Sequence, residues 1–253
     1  MQSTRYIKIF FIIFFFSALS FAQTKNSKTL FQSAPFIGLQ YGVMNSSFSI
    51  SEITRHGNFG VGTFNGIDGE MIVLDGKIYR VGYDGKVSQP PQSEKSPFVT
   101  VVFFHSDNVL QFTGASDYKK LTEFIDKNLP SKNLIYAIRV TGFFNTVKAR
   151  SIAKQTKPYT NLTDVTKGES IFNFKNVKGT LVGFRFPGYL EGVNVPGYHF
   201  HFLSDDRKSG GHDLDFTAGS LKIEIEDVDN VQMEIPKNKD FLQGNFDNKK
   251  VTD

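Results

Sequence analysis

The run Tyr198-His199-Phe200-His201-Phe202 alternates aromatic and imidazole side chains residue by residue, and a period of two is the signature of an extended strand. Successive side chains of a strand point to opposite faces, so Tyr198, Phe200 and Phe202 share one face and His199 and His201 the other. The aromatics can then take a core, which leaves the imidazoles free to converge. Residues i and i+2 stand roughly 6.5–7 Å apart along a strand, a gap that two imidazoles can close on one ion, with a third ligand drawn from the next strand. His212 is the candidate for that third place. It follows the loop Ser-Asp-Asp-Arg-Lys-Ser-Gly-Gly, whose Gly210-Gly211 pair lets a chain turn sharply and return. His199, His201 and His212, three of the five histidines, are therefore read as a metal site of the catalytic zinc type, three neutral nitrogens and an open position. Imidazole also suits copper, iron, nickel or cobalt, so zinc comes first and another divalent transition metal is the alternative. The competing reading is a chance His-x-His in an aromatic strand. His56, beside Gly57, and His105, at a strand end, are read as structural.

The N-terminal residues have the pattern of a secretory signal: Arg5 and Lys8, the apolar run Ile9 to Leu19, then Ser20-Phe21-Ala22 before Gln23. Residues 1–22 are expected to be cleaved, leaving 23–253 as the mature chain, exported to the periplasm or the extracellular medium. The apolar run is shorter than the roughly 20 residues a spanning helix needs, so no stable membrane association is expected after cleavage. With no cysteine in the chain, neither a disulfide nor a thiolate ligand or nucleophile is available. Cleavage removes Arg5 and Lys8 and no acid, so the formal charge falls from +4 to +2, a balance that argues against nucleic acid as a partner.

Beyond Lys28 the pattern is β-rich. Phe48 to Arg55 reads as a short helix capped by Ser49 and ended at Gly57. Asp68-Gly69, Asp75-Gly76 and Asp84-Gly85 punctuate short apolar runs, the signature of consecutive hairpins. Phe98 to Phe104 reads as a central strand. Ser116 is expected to cap a helix in which Tyr118, Leu121, Phe124, Ile125 and Leu129 recur at helical spacing, stopped by Pro130. Further strands are expected over Leu134–Val140, Phe143–Ile152, Ile171–Phe174, Gly179–Phe186, Tyr198–Leu203 and Leu214–Asp227. Asn161-Leu162-Thr163 matches a glycosylation sequon, a short pattern that carries little weight. Many strands with few helices make an α+β protein: two packed β-rich halves, approximately 30–130 and 131–246, with mixed or antiparallel sheets and the metal site in the C-terminal half.

The segments Gly60-Val61-Gly62-Thr63-Phe64-Asn65 with Asp68-Gly69-Glu70, then Tyr136-Ala137-Ile138-Arg139, then Gly197 to Phe202, then Gly211-His212 resemble, in order and spacing, the α-acetolactate decarboxylase family. The resemblance spans roughly Leu30 to Phe246 and is most specific at the histidines. It implies zinc on His199, His201 and His212, an active-site glutamate at Glu70, an active-site arginine at Arg150 and a substrate-binding threonine at Thr63. Arg150 would bind substrate as well as act on it. The implied reaction is decarboxylation of 2-acetolactate (2-hydroxy-2-methyl-3-oxobutanoate) to acetoin through a zinc-stabilised enediolate. A homodimer is compatible with this reading. One feature departs from the family: its members carry a glutamate in the C-terminal tail, whereas no glutamate follows Glu234 here, leaving Asp247 or Asp253 as the carboxylates able to stand in. The alternatives are another three-histidine metalloenzyme and a non-catalytic exported metal-binding module. Glu70 and Arg150 on their own are ordinary surface charges; the resemblance gives them roles.

Overall fold

The computed structural model describes residues 28–246. Its strands, in chain order, are β1 (Thr29–Gln32), β2 (Phe59–Thr63), β3 (Glu70–Leu74), β4 (Lys77–Val81), β5 (Val87–Ser88), β6 (Val99–Val102), β7 (Asn108–Phe112), β8 (Ser116–Asp117), β9 (Ile135–Ser151), β10 (Ser170–Phe186), β11 (Gly197–Ser204), β12 (Gly210–Val228) and β13 (Asn230–Met233). The helices are few and mostly short: α1 (Phe36–Gln40), α2 (Ile50–Ile53), α3 (Tyr118–Asn128), α4 (Leu162–Thr166) and α5 (Lys239–Leu242).

The strands form two sheets. The first runs β13-β1-β6-β2-β3-β4-β5, mixed because β1 and β13 pair in parallel while its other pairs are antiparallel. The second runs β11-β10-β9-β12-β7, with β8 also on β12 and a further pairing between β11 and β12. The chain changes sheet between β6 and β7, and β13 returns to the first sheet. The result is the α+β architecture expected, with the histidines in the C-terminal half.

The Asp-Gly punctuation produces the expected meander, β2 through β5. Between β3 and β4 the turn is Asp75-Gly76, both at positive φ (52° and 76°), the two-residue connection whose twist matches its flanking strands. β6 is an interior strand between β1 and β2. Ser49 caps α2 as expected, its backbone N–H donating to Glu52 at 2.7 Å, although the helix is shorter than 48–55. For α3 the cap is Asp117, one residue later than expected: its carboxylate accepts from the Lys120 N–H at 2.7 Å, while Ser116 is drawn into pairing with Ala218 of β12.

The larger correction concerns length. The strands expected at 134–140 and 143–152 are one strand, β9, and those at 171–174 and 179–186 are one strand, β10. The gaps left between the expected strands, residues 141–142 and 175–178, lie inside them. Gly142 is no turn; a side chain there would strike Leu221 of the neighbouring strand, 2.6 Å from the ideal Cβ position.

Burial follows the alternation. Phe200 and Phe202 join Tyr136, Ile138, Phe144, Phe216 and Ile223 in a core closed by Leu121 and Ile125 of α3. On the opposite side, Val182, Phe184 and Leu203 pack against Phe59, Val61, Ile72 and Val81 of the first sheet. The two sheets therefore meet along the face that carries the imidazoles. His56 is structural as expected, stacked on Phe31 with centroids 3.8 Å apart, and the His105 N–H donates to Glu226 at 3.0 Å.

Gly210 and Gly211 belong to β12 and not to the preceding loop. Gly211 has φ of 144°, and a Cβ on it would lie 2.6 Å from the Arg150 carbonyl oxygen. Its role is close approach between strands beside His212. Gly211→Ala is expected to cost at least about 2 kcal/mol, combining backbone strain with a clash against main chain. Gly76→Ala, where φ is positive but no other described residue beyond its chain neighbours lies within 4 Å of the added Cβ, should cost about 1 kcal/mol. Thermal denaturation of both variants checks the ordering.

Candidate metal centre and active site

Antiparallel register assembles the site. In β11 paired with β12, His201 stands directly opposite His212. In β12 paired with β9, His212 stands directly opposite Arg150. Residues directly opposite across a ladder share a face, and His199, two residues from His201, joins them. Three histidines and one arginine are thus side by side without any loop to place them. From the first sheet, Thr63 and Glu70 are themselves register partners, in β2 and β3.

The imidazoles converge tightly. Their candidate ligand atoms all lie within 4.8 Å of one another, and His199 Nε2 is 3.3 Å from His212 Nδ1. Two nitrogens at about 2.0–2.1 Å from a tetrahedral zinc would stand about 3.3 Å apart. His201 Nδ1 lies 2.8 Å from the Met71 carbonyl oxygen. A carbonyl only accepts, so Nδ1 carries the proton and Nε2 presents its lone pair, the outer-shell arrangement that orients a metal-binding histidine. Nε2 is also 3.5 Å from Glu70 Oε2.

Burial sets the protonation states. It lowers His199 to about 4, with the Arg150 guanidinium adding to the effect. It also pushes His201 and His212 well below the usual imidazole range, His199 and Arg150 contributing to both; the Met71 hydrogen bond opposes the shift at His201. All three are neutral near pH 7, the form that ligates. Glu70 is 6% exposed, and burial raises its carboxyl to about 7, opposed by Arg150 and reinforced by Glu169. Donor set, spacing and protonation all fit a divalent transition ion.

These residues line one cavity of about 230 Å³, with Thr63, Glu70, Arg150 and the three histidines facing Phe36, Leu39, Ile67, Phe98, Ile152, Leu162 and Val195. Every candidate site residue read from the sequence within 28–246 reaches it. The Thr63 hydroxyl donates to the Gly69 carbonyl at 2.7 Å, so its proton fastens the β2–β3 turn while its oxygen can still accept. Asp247 and Asp253 lie outside the described residues.

Sequence reasoning did not find Glu169, which accepts from Arg150 Nη1 at 2.6 Å. It also did not find the apolar wall, whose members come from α1, α4 and loops. Nothing local marks either. The sequon residue Asn161 is a helix cap, its Oδ1 accepting from the Asp164 N–H at 2.8 Å, and the Leu162 beside it faces the cavity.

Residues 30–248 match the family model for alpha-acetolactate decarboxylase. The chain is 43% identical over 218 residues to the alpha-acetolactate decarboxylase of Methanosarcina mazei, covering 85% of this chain and 75% of that one. It is 38% identical over 219 residues to that of Bacillus subtilis, covering 87% and 86%. The crystal structure of the enzyme from Bacillus subtilis strain 168 superposes with a TM-score of 0.85 over 87% of this chain and 94% of that one. A Staphylococcus aureus protein of unknown function, described as similar to alpha-acetolactate decarboxylase, superposes with a TM-score of 0.83 at 30% identity.

Purified protein is expected to carry about one divalent transition ion per chain, and replacing both His199 and His201 by alanine should abolish it. Elemental analysis of wild type and double variant decides this; stoichiometric metal in the variant would refute the ligand set.

Proposed function

Because the chain belongs to the alpha-acetolactate decarboxylase family and is therefore a carboxy-lyase, we propose that it converts 2-acetolactate to acetoin through an enediolate. In this reading His199, His201 and His212 hold a divalent transition ion, zinc in the first instance. The observation that carries it is the convergence, on one cavity, of three neutral imidazoles, a guanidinium and a buried carboxyl opposite an apolar wall.

In the reaction the bond between C2 and the carboxylate breaks, carbon dioxide leaves, and the bonding electron pair moves from C2 toward the adjacent ketone, whose oxygen takes the charge. The resulting enediolate then accepts a proton on C2, and the ketone re-forms. When bound, the ion supplies Lewis-acid stabilisation of the negative charge on oxygen. Arg150 supplies a planar, permanently charged donor for the substrate carboxylate or the developing oxyanion. Among the described residues its Nε is buried without a hydrogen-bond partner. Glu70, raised to about 7, holds a proton over part of the neutral range and can exchange it with the substrate, as a buried general acid–base does. Thr63 offers an acceptor oxygen to the substrate hydroxyl. The wall of Phe36, Leu39, Phe98, Leu162 and Val195 takes the methyl groups and keeps water from the carboxylate. In such surroundings fixed charges act more strongly than in water.

Purified mature protein incubated with racemic acetolactate should form acetoin above the spontaneous rate, and a chelator should suppress it. Arg150→Ala is expected to lower turnover roughly 10²- to 10³-fold with metal content near normal. Glu70→Gln should likewise keep the metal while suppressing turnover, because the amide keeps the shape but cannot exchange a proton. Acetoin formation unchanged in both variants would remove these residues from the mechanism. Wild-type protein that binds metal yet never exceeds the spontaneous rate would support a metal-binding module instead.

We further propose that residues 1–22 are a cleaved export signal and that 23–253, a single decarboxylase-like domain, works in the periplasm or the medium. The support is the basic, apolar and small-residue pattern up to Ala22; that segment lies outside the described residues. Among those described, no helix is long and apolar enough to cross a membrane. Intact mass of the exported protein is expected to place its N-terminus at Gln23, and residues 1–22 retained in a membrane fraction would overturn this.

A further inference from the structure

We propose that Glu169 is a positioning residue that clamps Arg150, fixing one end of the guanidinium so that the rest of the fork is presented to the cavity. The catalytic consequence rests on the decarboxylase reading above; the clamp itself rests on geometry.

Arg150 pairs in register with Ile171, and Glu169 lies two residues before Ile171, immediately before β10. Diagonal neighbours across an antiparallel pair are within reach of long side chains, and here Nη1 and Glu169 Oε2 close to 2.6 Å. Both partners are largely withdrawn from solvent, with side chains 21% and 25% exposed. The glutamate backbone is itself fixed, its N–H donating to the Thr166 carbonyl at 3.1 Å as the chain leaves α4. The same helix sends Leu162 into the cavity.

The clamp answers two physical difficulties. Arg150 stands beside three imidazoles that converge as a cation site, and a guanidinium there is repelled by a divalent ion; the Glu169 carboxylate on Nη1 offsets that repulsion. A free arginine side chain also carries roughly 2 kcal/mol of rotamer entropy, much of which Glu169 removes before substrate arrives. With Nη1 engaged and Nε buried without a partner among the described residues, the remaining donors are held ready in one orientation.

Two measurements test the clamp. In the metal-loaded enzyme, Glu169→Ala should lower kcat/KM roughly 10- to 100-fold, the usual effect of removing an outer-shell partner. Metal content should be unchanged, and Glu169→Gln, which keeps an acceptor oxygen for Nη1, should restore part of the loss. Made in an Arg150→Ala background, Glu169→Ala should change kcat/KM less than about twofold, because a residue acting only through Arg150 has nothing left to position. Independently of turnover, the Arg150 Nε–H resonance, assigned by its loss in Arg150→Lys, should exchange with solvent at least about tenfold faster in Glu169→Ala. The clamp is overturned if Glu169→Ala costs the same with and without Arg150, if it costs nothing, or if Nε–H exchange is unchanged. Wild-type protein forming no acetoin above the spontaneous rate would sink the decarboxylase reading alone, and the exchange measurement would then decide the clamp.

Discussion

The site depends on strand closure. β11 is hydrogen-bonded on one edge to β10 and, at its far end, on the other edge to β12; β12 pairs with β9, and β9 with β10. Around this circuit His201, His212 and Arg150 fall at consecutive register positions. Main-chain hydrogen bonds, not flexible loops, therefore fix the spacing of the imidazoles, and a slip of one residue would send every one of them to the other face. The closure requires a close approach between strands. Gly211 provides it with a conformation that other residues avoid and with no Cβ to strike β9.

One physical cause, burial, then gives the side chains opposite states. Desolvation penalises the charged form of each group, so it strips protons from His199, His201 and His212 and leaves one on Glu70 over part of the neutral range. Arg150 acts on all four from its fixed place, disfavouring imidazolium and favouring carboxylate. The site thus holds neutral imidazoles and a carboxyl raised to about 7 a few ångströms apart without needing two different environments. Glu169 completes the charge balance by pairing with the guanidinium instead of leaving it to draw the Glu70 proton away.

Much of this was legible in the sequence, and what was not has definite causes. The imidazole face of β11 is written in a two-residue period, so the shared face of His199 and His201 follows from the alternation alone. The hairpins of the first sheet are written in Asp-Gly pairs. Strand length was not legible: residues 141–142 and 175–178 fall between the apolar runs, and only pairing across the ladder makes them interior. The cap of α3 shifted from Ser116 to Asp117 because a long-range pairing with Ala218 outweighed a local preference. Glu70 and Arg150 became legible through the family resemblance, since as isolated charges nothing distinguishes them. Glu169 stayed hidden because its partner is a diagonal neighbour on another strand, and diagonal contacts leave no trace in spacing.

The two sides of the cavity belong to different parts of the fold, so the reactive geometry is only as firm as the contact between them. Imidazoles and Arg150 stand on the second sheet, whereas Thr63 and Glu70 stand on the first and Phe36 on α1. Beside the apolar interface between the sheets, a buried polar network adds to that contact. Gln32 of β1, with no exposed surface, donates from Nε2 to the Val193 carbonyl at 2.6 Å. Asn194 donates to Gln32 Oε1 at 2.6 Å and to Thr100 Oγ1 at 3.0 Å. The Phe36 N–H donates to the same Val193 carbonyl at 2.9 Å. This network seats the loop before β11 on the first sheet, and through it Val195 and Phe36 take their places in the apolar wall. Buried polar groups of this kind are costly when any partner is lost, so the network holds the loop in one position where an apolar contact would let it slide. The apolar wall is therefore anchored by hydrogen bonds well behind it, and the histidine strand emerges from the anchored loop with His201 Nε2 3.5 Å from the Glu70 carboxyl.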